Sequence, residues 1–199
     1  MKSKLFAIAG SVASVCVAMA SMPVSAERVN NTLSGSNLCL ETDTDGNCTS
    51  AVSHSVATPL KNGRKKNGKS KNYNRPGNTV FGHSGLTRDL TTPCDIDGTE
   101  GALYVYSYST QVATTPDGDL IVTAMDNTTD STVCLHPAGY FEVRIYSNIT
   151  GGSGKYTNAC GSVEFNGRGI FLPPPGAGFS AFEGTQVGEI LPANKCVVP

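Results

Sequence analysis

The fold of this chain is decided by the stretch Tyr146-Ser-Asn-Ile-Thr-Gly-Gly-Ser-Gly-Lys-Tyr-Thr-Asn-Ala-Cys-Gly-Ser-Val-Glu-Phe165. Apolar and polar residues alternate into it from Phe141, the run Gly151-Gly-Ser-Gly154 interrupts the alternation, and a second alternating run leaves through Phe165. A period of two is typical of a strand with one buried face, and a glycine-rich break between two such runs is typical of a β-hairpin. The sequence therefore predicts an antiparallel hairpin here.

Other short alternating runs lie on both sides of this hairpin, and turn residues such as Pro116-Asp117-Gly118 separate them. The predicted strands cover residues 103–108, 119–125, 132–135, 140–149, 155–165, 169–172 and 179–185. Helical periodicity is absent outside the N-terminal segment. Several short strands joined by Gly, Pro and Asp turns indicate one all-β domain over residues 79–199, either a barrel or a sandwich.

The hairpin resembles the central hairpin of the allene oxide cyclase and dirigent proteins. The similar features are Gly151-Gly-Ser-Gly154, the aromatic Tyr156 and the run Ala159-Cys-Gly-Ser162, and Gly118-Asp119 stands where bacterial relatives carry Gly-Asp. The resemblance covers residues 98–169. It implies an antiparallel eight-stranded, calycin-like barrel like those of many bacterial secreted proteins of unknown role, and it implies a homotrimer.

Two departures from the family pattern bear on this barrel. Cys160 stands where relatives carry a small, hydroxyl-bearing or aromatic residue, so the resemblance implies that this barrel is cross-linked. Pro173-Pro-Pro175 interrupts the region where relatives have a long closing strand, and proline cannot donate to a strand ladder. The tripeptide therefore weighs against closure of the barrel.

The N-terminus has the features of a secretory signal peptide. Lys2 and Lys4 precede an apolar run from Leu5 to Ala20, and Val24-Ser-Ala26 supplies the small residues that a signal peptidase recognises. Residues 1–26 are therefore predicted to be a signal peptide, and the protein is predicted to be secreted, either extracellular or periplasmic. No other apolar run approaches the roughly 20 residues that cross a bilayer, so no transmembrane segment is predicted.

Six cysteines follow the signal peptide, and an even number in an oxidising compartment indicates disulfides. Cys39 and Cys48 would form a local bridge across a short polar loop, and Cys134 with Cys160 is an alternative if their strands are neighbours. No Cys-x-x-Cys occurs. The acidic run from Glu41 to Asp45 is spaced like the start of a calcium loop, but Val52 stands where a ligating Glu is needed. No metal or other cofactor is predicted.

Residues 27–78 form a low-complexity segment rich in Asn, Ser, Thr, Gly and Lys, and they are predicted to be a disordered basic arm. The run from Lys61 to Arg75 carries seven cations and no acid, whereas residues 79–199 carry twelve acids and five bases, a net charge of −7. Two interpretations stay open. The arm is a solvated linker or tether, or it is a patch that binds an anionic surface polymer.

One set of side chains is a candidate ligand site, because tyrosines offer apolar faces with an orienting hydroxyl. The candidates are Tyr104, Tyr106 and Tyr108 on one predicted strand, and Glu142, Arg144 and Tyr146 on another. The predicted alternation places the second group on the face opposite Phe141, Val143, Ile145 and Ile149. The alternative is that these residues stabilise the outer surface of the sheet, where cross-strand aromatic pairs contribute about 0.2 to 1 kcal/mol.

Two classes of function fit these patterns. The first is a secreted barrel that binds a small apolar or phenolic molecule, as a carrier or as a dirigent-like or cyclase-like template. The second is a non-enzymatic extracellular or envelope scaffold whose basic arm contacts anionic polymers. The catalytic residues are unknown, because no Gly-x-Ser-x-Gly or His-x-x-x-His motif occurs and no family catalytic residue matches here. The resemblance to the allene oxide cyclase and dirigent proteins implies that any enzymatic activity would be of the cyclase or isomerase kind.

Overall fold

The computed structural model describes residues 25–44, 46, 48–60, 77–171 and 178–196. Within these ranges the chain forms nine strands and two short 3-10 turns, and it contains no α-helix. The strands are β1 Glu27–Thr42, β2 Cys48–Pro59, β3 Asn78–Ile96, β4 Thr99–Thr114, β5 Leu120–Met125, β6 Thr132–Leu135, β7 Tyr140–Gly152, β8 Cys160–Phe171 and β9 Phe179–Leu191. The 3-10 turns are Gly154–Tyr156 and Ala193–Lys195.

All nine strands belong to one antiparallel sheet that closes into a ring with eight positions. From β3 the ring runs through β2, β1, β9, β8 and β7, and it returns through β5 and β4 to β3. The short strands β5 and β6 share the position between β4 and β7, because β5 pairs with the end of β4 and β6 pairs with its start. The prediction of an antiparallel eight-stranded barrel is confirmed.

The strands are staggered relative to one another. The stagger can be measured by following paired residues around the ring, starting from Thr123 in β5. In one direction the path reaches Glu27 in β1, through Ile149, Gly161 and Ile190. In the other direction it reaches Asn37 in the same strand, through Gln111, Gly82 and Ser53. The ring therefore closes with a stagger of ten residues, from residue 27 to residue 37. The tilt that accompanies such a stagger gives an eight-stranded barrel room for packed side chains or one small ligand.

The predicted hairpin is confirmed as β7 and β8, but its second strand begins later than predicted. β8 starts at Cys160 instead of residue 155, because the 3-10 turn Gly154–Tyr156 extends the connection. Gly154 has a φ of 56°, a left-handed conformation that glycine adopts easily, and a Cβ there would collide with the Asp119 carboxylate. The longer connection places Lys155 and Tyr156 over one end of the barrel.

The prediction of a disordered arm over residues 27–78 is wrong for most of its length. β1 and β2 are regular strands of the barrel, and β1 pairs with β2 on one side and β9 on the other. Their apolar pattern is weak because the lumen beside them accepts small polar side chains such as Ser53 and Ser55. Backbone hydrogen bonds along both edges hold β1 in the sheet although its sequence lacks apolar periodicity. The barrel domain therefore begins at residue 27 instead of residue 79.

Three predicted features lie wholly or largely outside the described residues. They are the signal peptide, of which only residues 25 and 26 are described, the basic run 61–75, and the prolines at 173–175. The barrel is closed despite the prolines. β8 ends at Phe171, before them, and β9 begins at Phe179, after them, and pairs with β1. No helix in the described parts of the chain is long and apolar enough to span a membrane.

Three disulfides cross-link the barrel, namely Cys39–Cys48, Cys94–Cys134 and Cys160–Cys196. The predicted local bridge between Cys39 and Cys48 is confirmed. The alternative pairing of Cys134 with Cys160 is wrong, because β7 lies between their strands. Strands two positions apart are separated by roughly 9 to 10 Å, which is more than a disulfide spans. Three disulfides fit a protein that folds outside the cytoplasm.

Aromatic rings fill one half of the lumen. Tyr104, Phe141 and Phe165 are each at most 7% exposed and pack with aliphatic residues into one core cluster. The rings lie against glycines of neighbouring strands, since a Cβ on Gly169 would meet the Phe141 ring and a Cβ on Gly184 would meet the Phe165 ring. Close packing of this kind leaves little free volume. We call this end of the lumen, defined by Tyr104, Phe141 and Phe165, the packed half.

Candidate ligand-binding cavity

The opposite end of the lumen is hollow. A cavity of about 520 Å³ lies where β1, β3, β5 and β8 begin and where β2, β4, β7 and β9 end. Small-molecule sites in proteins typically occupy about 300 to 1,000 Å³. We call this space the mouth cavity, and its lining divides into an aliphatic wall, four polar lumen residues and a charged rim.

The wall is mainly aliphatic. Six of its side chains are at most 6% exposed, namely Ala57, Val80, Ile121, Ile149, Val163 and Ile190. Ala57 and Val80 come from the neighbouring strands β2 and β3, and Ile149 and Val163 come from the neighbouring strands β7 and β8. These two patches give the cavity apolar surfaces that an apolar molecule would cover.

Asn78 and Thr115 line the cavity at strand ends beside the rim, and four other polar side chains interrupt the aliphatic wall in two cross-strand pairs. Asn31 of β1 is paired with Gln186 of β9, and Gln111 of β4 is paired with Thr123 of β5. Thr123 is 8% exposed, and its Oγ1 has no hydrogen-bond partner among the described residues. Because a buried hydroxyl without a partner costs about 1 to 3 kcal/mol, this atom is a point where a bound molecule would be held.

A hydrogen-bonded cluster of three side chains forms part of the rim. Tyr156 is 5% exposed and donates its hydroxyl to Glu27 Oε2 at 3.1 Å. Lys155 Nζ lies 3.5 Å from the same oxygen and 4.7 Å from the centre of the Tyr156 ring. The hydrogen bond with Tyr156, and then the charge of Glu27, raise the pKa of Lys155, whereas burial raises the pKa of Tyr156. The cluster joins the start of β1 to the hairpin connection.

The charged residues of the mouth cavity are confined to its rim. They are Glu27, Arg28, Asp117 and Lys155, which lie at strand ends or in connections, whereas the lumen residues are uncharged. Burying an unpaired charge beside aliphatic walls is costly. The arrangement therefore favours an uncharged ligand, or one whose charged group stays at the rim.

The structure separates the three candidate tyrosines of β4. Tyr106 is paired with Leu86 and Tyr108 with Gly85, so Ser107 is an extra residue that forms a β-bulge. Tyr104 and Tyr106 therefore point into the lumen, where they belong to the packed half. Burial raises the pKa of Tyr106. Tyr108 points outward, is 42% exposed, and its hydroxyl lies 3.0 Å from His83 Nε2.

The candidate residues of β7 lie on the outer surface, opposite the buried Phe141 and its face, as the alternation predicted. Arg144 is ion-paired with Glu164 at 2.9 Å and lies 4.8 Å from the centre of the Tyr146 ring. Glu142 and Arg144 border an outer depression of about 850 Å³ that opens broadly to solvent. The six candidate residues do not form one site, and none of them lines the mouth cavity.

The three histidines also lie away from the mouth cavity. The His54 ring lies 4.9 Å from Phe81, and the His136 ring stacks on Tyr140 at 3.9 Å. The described residues include no group of three or more His, Cys, Asp or Glu side chains that could hold a metal ion. Asp45, in the acidic run considered for calcium, lies outside the described residues.

The sequence did not identify the residues that line the mouth cavity. Asn31 lies in the segment predicted to be disordered, Gln111 lies beyond the predicted strand 103–108, and Thr123 lies in the predicted strand 119–125 without any signal that marks it as a lumen residue. Tyr156 carries the one available signal, since it is the aromatic residue of the hairpin that resembles allene oxide cyclases and dirigent proteins. That resemblance implied a fold, but it assigned no role to this tyrosine.

Comparisons of the chain with protein-family models, with curated proteins and with solved structures find no match. The resemblance of the hairpin to the allene oxide cyclase and dirigent proteins therefore stays a prediction.

Proposed function

We propose that this protein is a secreted barrel that binds a small, mainly apolar or phenolic molecule in its mouth cavity. The observation that carries the proposal is a partly open cavity of about 520 Å³ at one end of the lumen, with an aliphatic wall and a few polar groups. Ligand sites combine these features, because the apolar surface supplies binding energy and the polar groups fix orientation. Secretion is proposed from the signal-like N-terminus and from the three disulfides.

Both forms of this function need the same cavity. A carrier holds its ligand away from water, and a template of the dirigent or cyclase kind also fixes the shape in which a reactive molecule closes or couples. The cluster of Glu27, Lys155 and Tyr156 places titratable groups at the rim of this space. The alternative function, contact with anionic polymers through residues 61–75, rests on sequence alone, as does the trimer that the resemblance implies.

The proposal predicts that filling the cavity abolishes binding. Ala113 lines the mouth cavity, whereas Ala124 lies on the outer face of the neighbouring strand. We expect the neutral fluorescent probe N-phenyl-1-naphthylamine to bind the natural chain at one site, Ala113→Phe to weaken binding at least about tenfold, and Ala124→Phe to leave binding unchanged. The measurement is a fluorescence titration of the folded proteins.

Two results would contradict the proposal. The first is the absence of saturable binding to the natural chain. The second is equal binding by the Ala113→Phe and Ala124→Phe variants, which would place the probe on the outer surface. Thermal melting of each variant shows whether the barrel is intact and separates a filled cavity from a misfolded chain.

A further inference from the structure

We infer that the mouth cavity takes a flat, uncharged molecule with hydrogen-bonding groups at two opposite edges, held between the Gln111–Thr123 pair and the Asn31–Gln186 pair. The inference specifies the ligand class of the cavity and therefore rests on the proposed function. It is carried by the positions of these four residues around the ring and along the barrel axis.

The two polar pairs face each other across the lumen. In the ring, β4 and β5 occupy neighbouring positions, and β9 and β1 occupy the neighbouring positions four steps away in either direction. In a ring of eight, four steps lead to the opposite wall. The Gln111–Thr123 pair and the Asn31–Gln186 pair are therefore on opposite walls.

The stagger of the strands places the two pairs at the same height. The two paths of paired residues that start at Thr123 end at residues 27 and 37 of β1. Because the two paths shift by equal amounts in opposite directions along the barrel axis, the point of β1 at the height of Thr123 is midway between them, at residue 32, next to Asn31. The two paths of paired residues that start at Gln111 end at Ile190 and Ser180 of β9. The point of β9 at the height of Gln111 is therefore residue 185, next to Gln186. Residue 32 is exposed, and its lumen-facing neighbours are Asn31 towards the mouth and Leu33 towards the packed half. Thr123 therefore faces Asn31 to within about one residue along the strand, and Gln111 faces Gln186 to the same precision.

The aliphatic patches occupy the other two walls. Ala57 and Val80 lie on β2 and β3, and Ile149 and Val163 lie on β7 and β8, which are again four positions apart in the ring. At the level of the four polar residues, polar and aliphatic walls therefore alternate, whereas Ile121 and Ile190 lie on the polar strands nearer the open end. A flat ring system matches this arrangement when its two faces lie against the aliphatic patches and its two ends reach the polar pairs.

The chemistry of the polar pairs selects hydroxyl, carbonyl or amide groups. Asn31, Gln111 and Gln186 carry side-chain amides that donate and accept, and the buried Thr123 hydroxyl does both as well. Among the described residues, no charged side chain occupies this level, because the charged groups of the lining lie at the rim. An ionised end would lose its hydration without a counter-charge, so the ends that reach these pairs are uncharged.

Two isomers of one compound test the inference. Naphthalene-2,6-diol carries hydroxyls at opposite ends of a flat apolar body, and naphthalene-2,3-diol carries them on one edge. We expect the natural chain to bind the opposite-end isomer about three- to tenfold more tightly, which corresponds to one further hydrogen bond. The measurement is calorimetric titration of both isomers, with N-phenyl-1-naphthylamine displacement as a second readout.

Thr123→Val removes the buried hydroxyl with little change of shape. We expect this variant to lose most of the preference for the opposite-end isomer, and we expect Asn31→Leu on the facing wall to do the same. Thr110→Val is the matched control, because Thr110 is exposed on the outer face of β4. We expect this control to bind both isomers as the natural chain does.

The outcomes separate this inference from the proposed function. If N-phenyl-1-naphthylamine binds and Ala113→Phe blocks it, but the isomers bind equally or both Thr123→Val and Asn31→Leu keep the preference, the inference is overturned and the proposed function stands. If neither the probe nor either isomer binds, both are overturned. A preference that is lost in Thr123→Val and kept in Thr110→Val supports both.

Discussion

The two halves of the lumen are built by the same eight-position sheet, yet one is packed and the other is hollow. The packed half carries aromatic rings such as Phe141 and Phe165, and glycines of neighbouring strands let these rings approach the backbone. The other end carries a smaller cluster of buried side chains, which includes Ile121, Ile149 and Ile190, and it leaves the mouth cavity of about 520 Å³ beside that cluster. The difference in side-chain size therefore makes one end of the barrel a close-packed core and leaves a cavity at the other end.

The three disulfides are also divided between the packed half and the mouth. Cys39–Cys48 and Cys94–Cys134 lie towards the packed half, where β1 ends, β2 begins and β6 lies. Cys160–Cys196 lies at the opposite end and joins the start of β8 to the C-terminal segment. The mouth contains the cavity, so this covalent link restrains the end of the barrel that is less completely filled.

The largest expected difference between the halves concerns the removal of a buried side chain. We expect Phe141→Ala to lower the free energy of unfolding by about 3 to 5 kcal/mol, because it leaves a new cavity in a close-packed cluster. Ile149→Ala should cost about 2 kcal/mol, the low end for such a change, because this side chain already borders free space. Urea unfolding of both variants measures the two losses, and equal losses would contradict the division into packed and hollow halves.

An intermediate effect is expected at alkaline pH. Burial raises the pKa of Tyr106 in the packed half and that of Tyr156 at the mouth, so the folded state holds both protons more tightly than the unfolded state does. This stabilisation is present below the unfolded pKa of about 10 and is lost as pH rises through each folded pKa, by about 1.4 kcal/mol for each unit by which that pKa is raised. We expect Tyr106→Phe to remove more of the alkaline loss than Tyr156→Phe does.

Urea unfolding between neutral pH and about pH 11 measures this loss. Tyr108→Phe is the control, since that hydroxyl is exposed on the outer surface. An alkaline loss that is the same in the natural chain and in both the Tyr106→Phe and Tyr156→Phe variants would show that neither buried hydroxyl holds its proton more tightly in the folded state.

The smallest expected effect lies on the outer surface. Arg144 and Glu164 are ion-paired at 2.9 Å, but their side chains are 55% and 28% exposed. A hydrogen bond from Asn166, followed by the contacts with Arg144, lowers the pKa of Glu164, so any stabilisation here is lost as pH falls through that pKa. We expect Arg144→Ala to change the free energy of unfolding by less than about 1 kcal/mol and to leave probe binding unchanged. Loss of binding in this variant would move the site to the outer depression.

The strands that obey period-two alternation were predictable from the sequence, and the others were not. β7 alternates from Phe141 to Ile149 because its inner face meets the core, so both its position and its inner face were predicted. β1 and β2 line a lumen that accepts Asn31, Ser53 and Ser55, and their pattern therefore resembled a disordered segment. A rule based on apolar periodicity fails wherever a lumen is partly polar.

The candidate site was less predictable than the fold, because it depends on closure of the ring. Thr123 and Asn31 are 92 residues apart in sequence, and only the stagger of the closed sheet brings them opposite each other. The three tyrosines of β4 illustrate a local obstacle of the same kind. One extra residue, Ser107, turns Tyr108 outward while Tyr104 and Tyr106 stay inside, and nothing in their regular spacing indicates a bulge.

The most direct test of the division is methyl NMR of the natural chain during titration with N-phenyl-1-naphthylamine. We predict that the signals of Val80, Ile121, Ile149, Val163 and Ile190 shift saturably, because these methyl groups line the mouth cavity. The signals of Val133 and Ile145 should move little, because these residues belong to the core cluster and do not line that cavity. Shifts confined to the packed half or to the outer surface, or no shifts at high probe concentration, would contradict the claim that the hollow end of this barrel is a binding site.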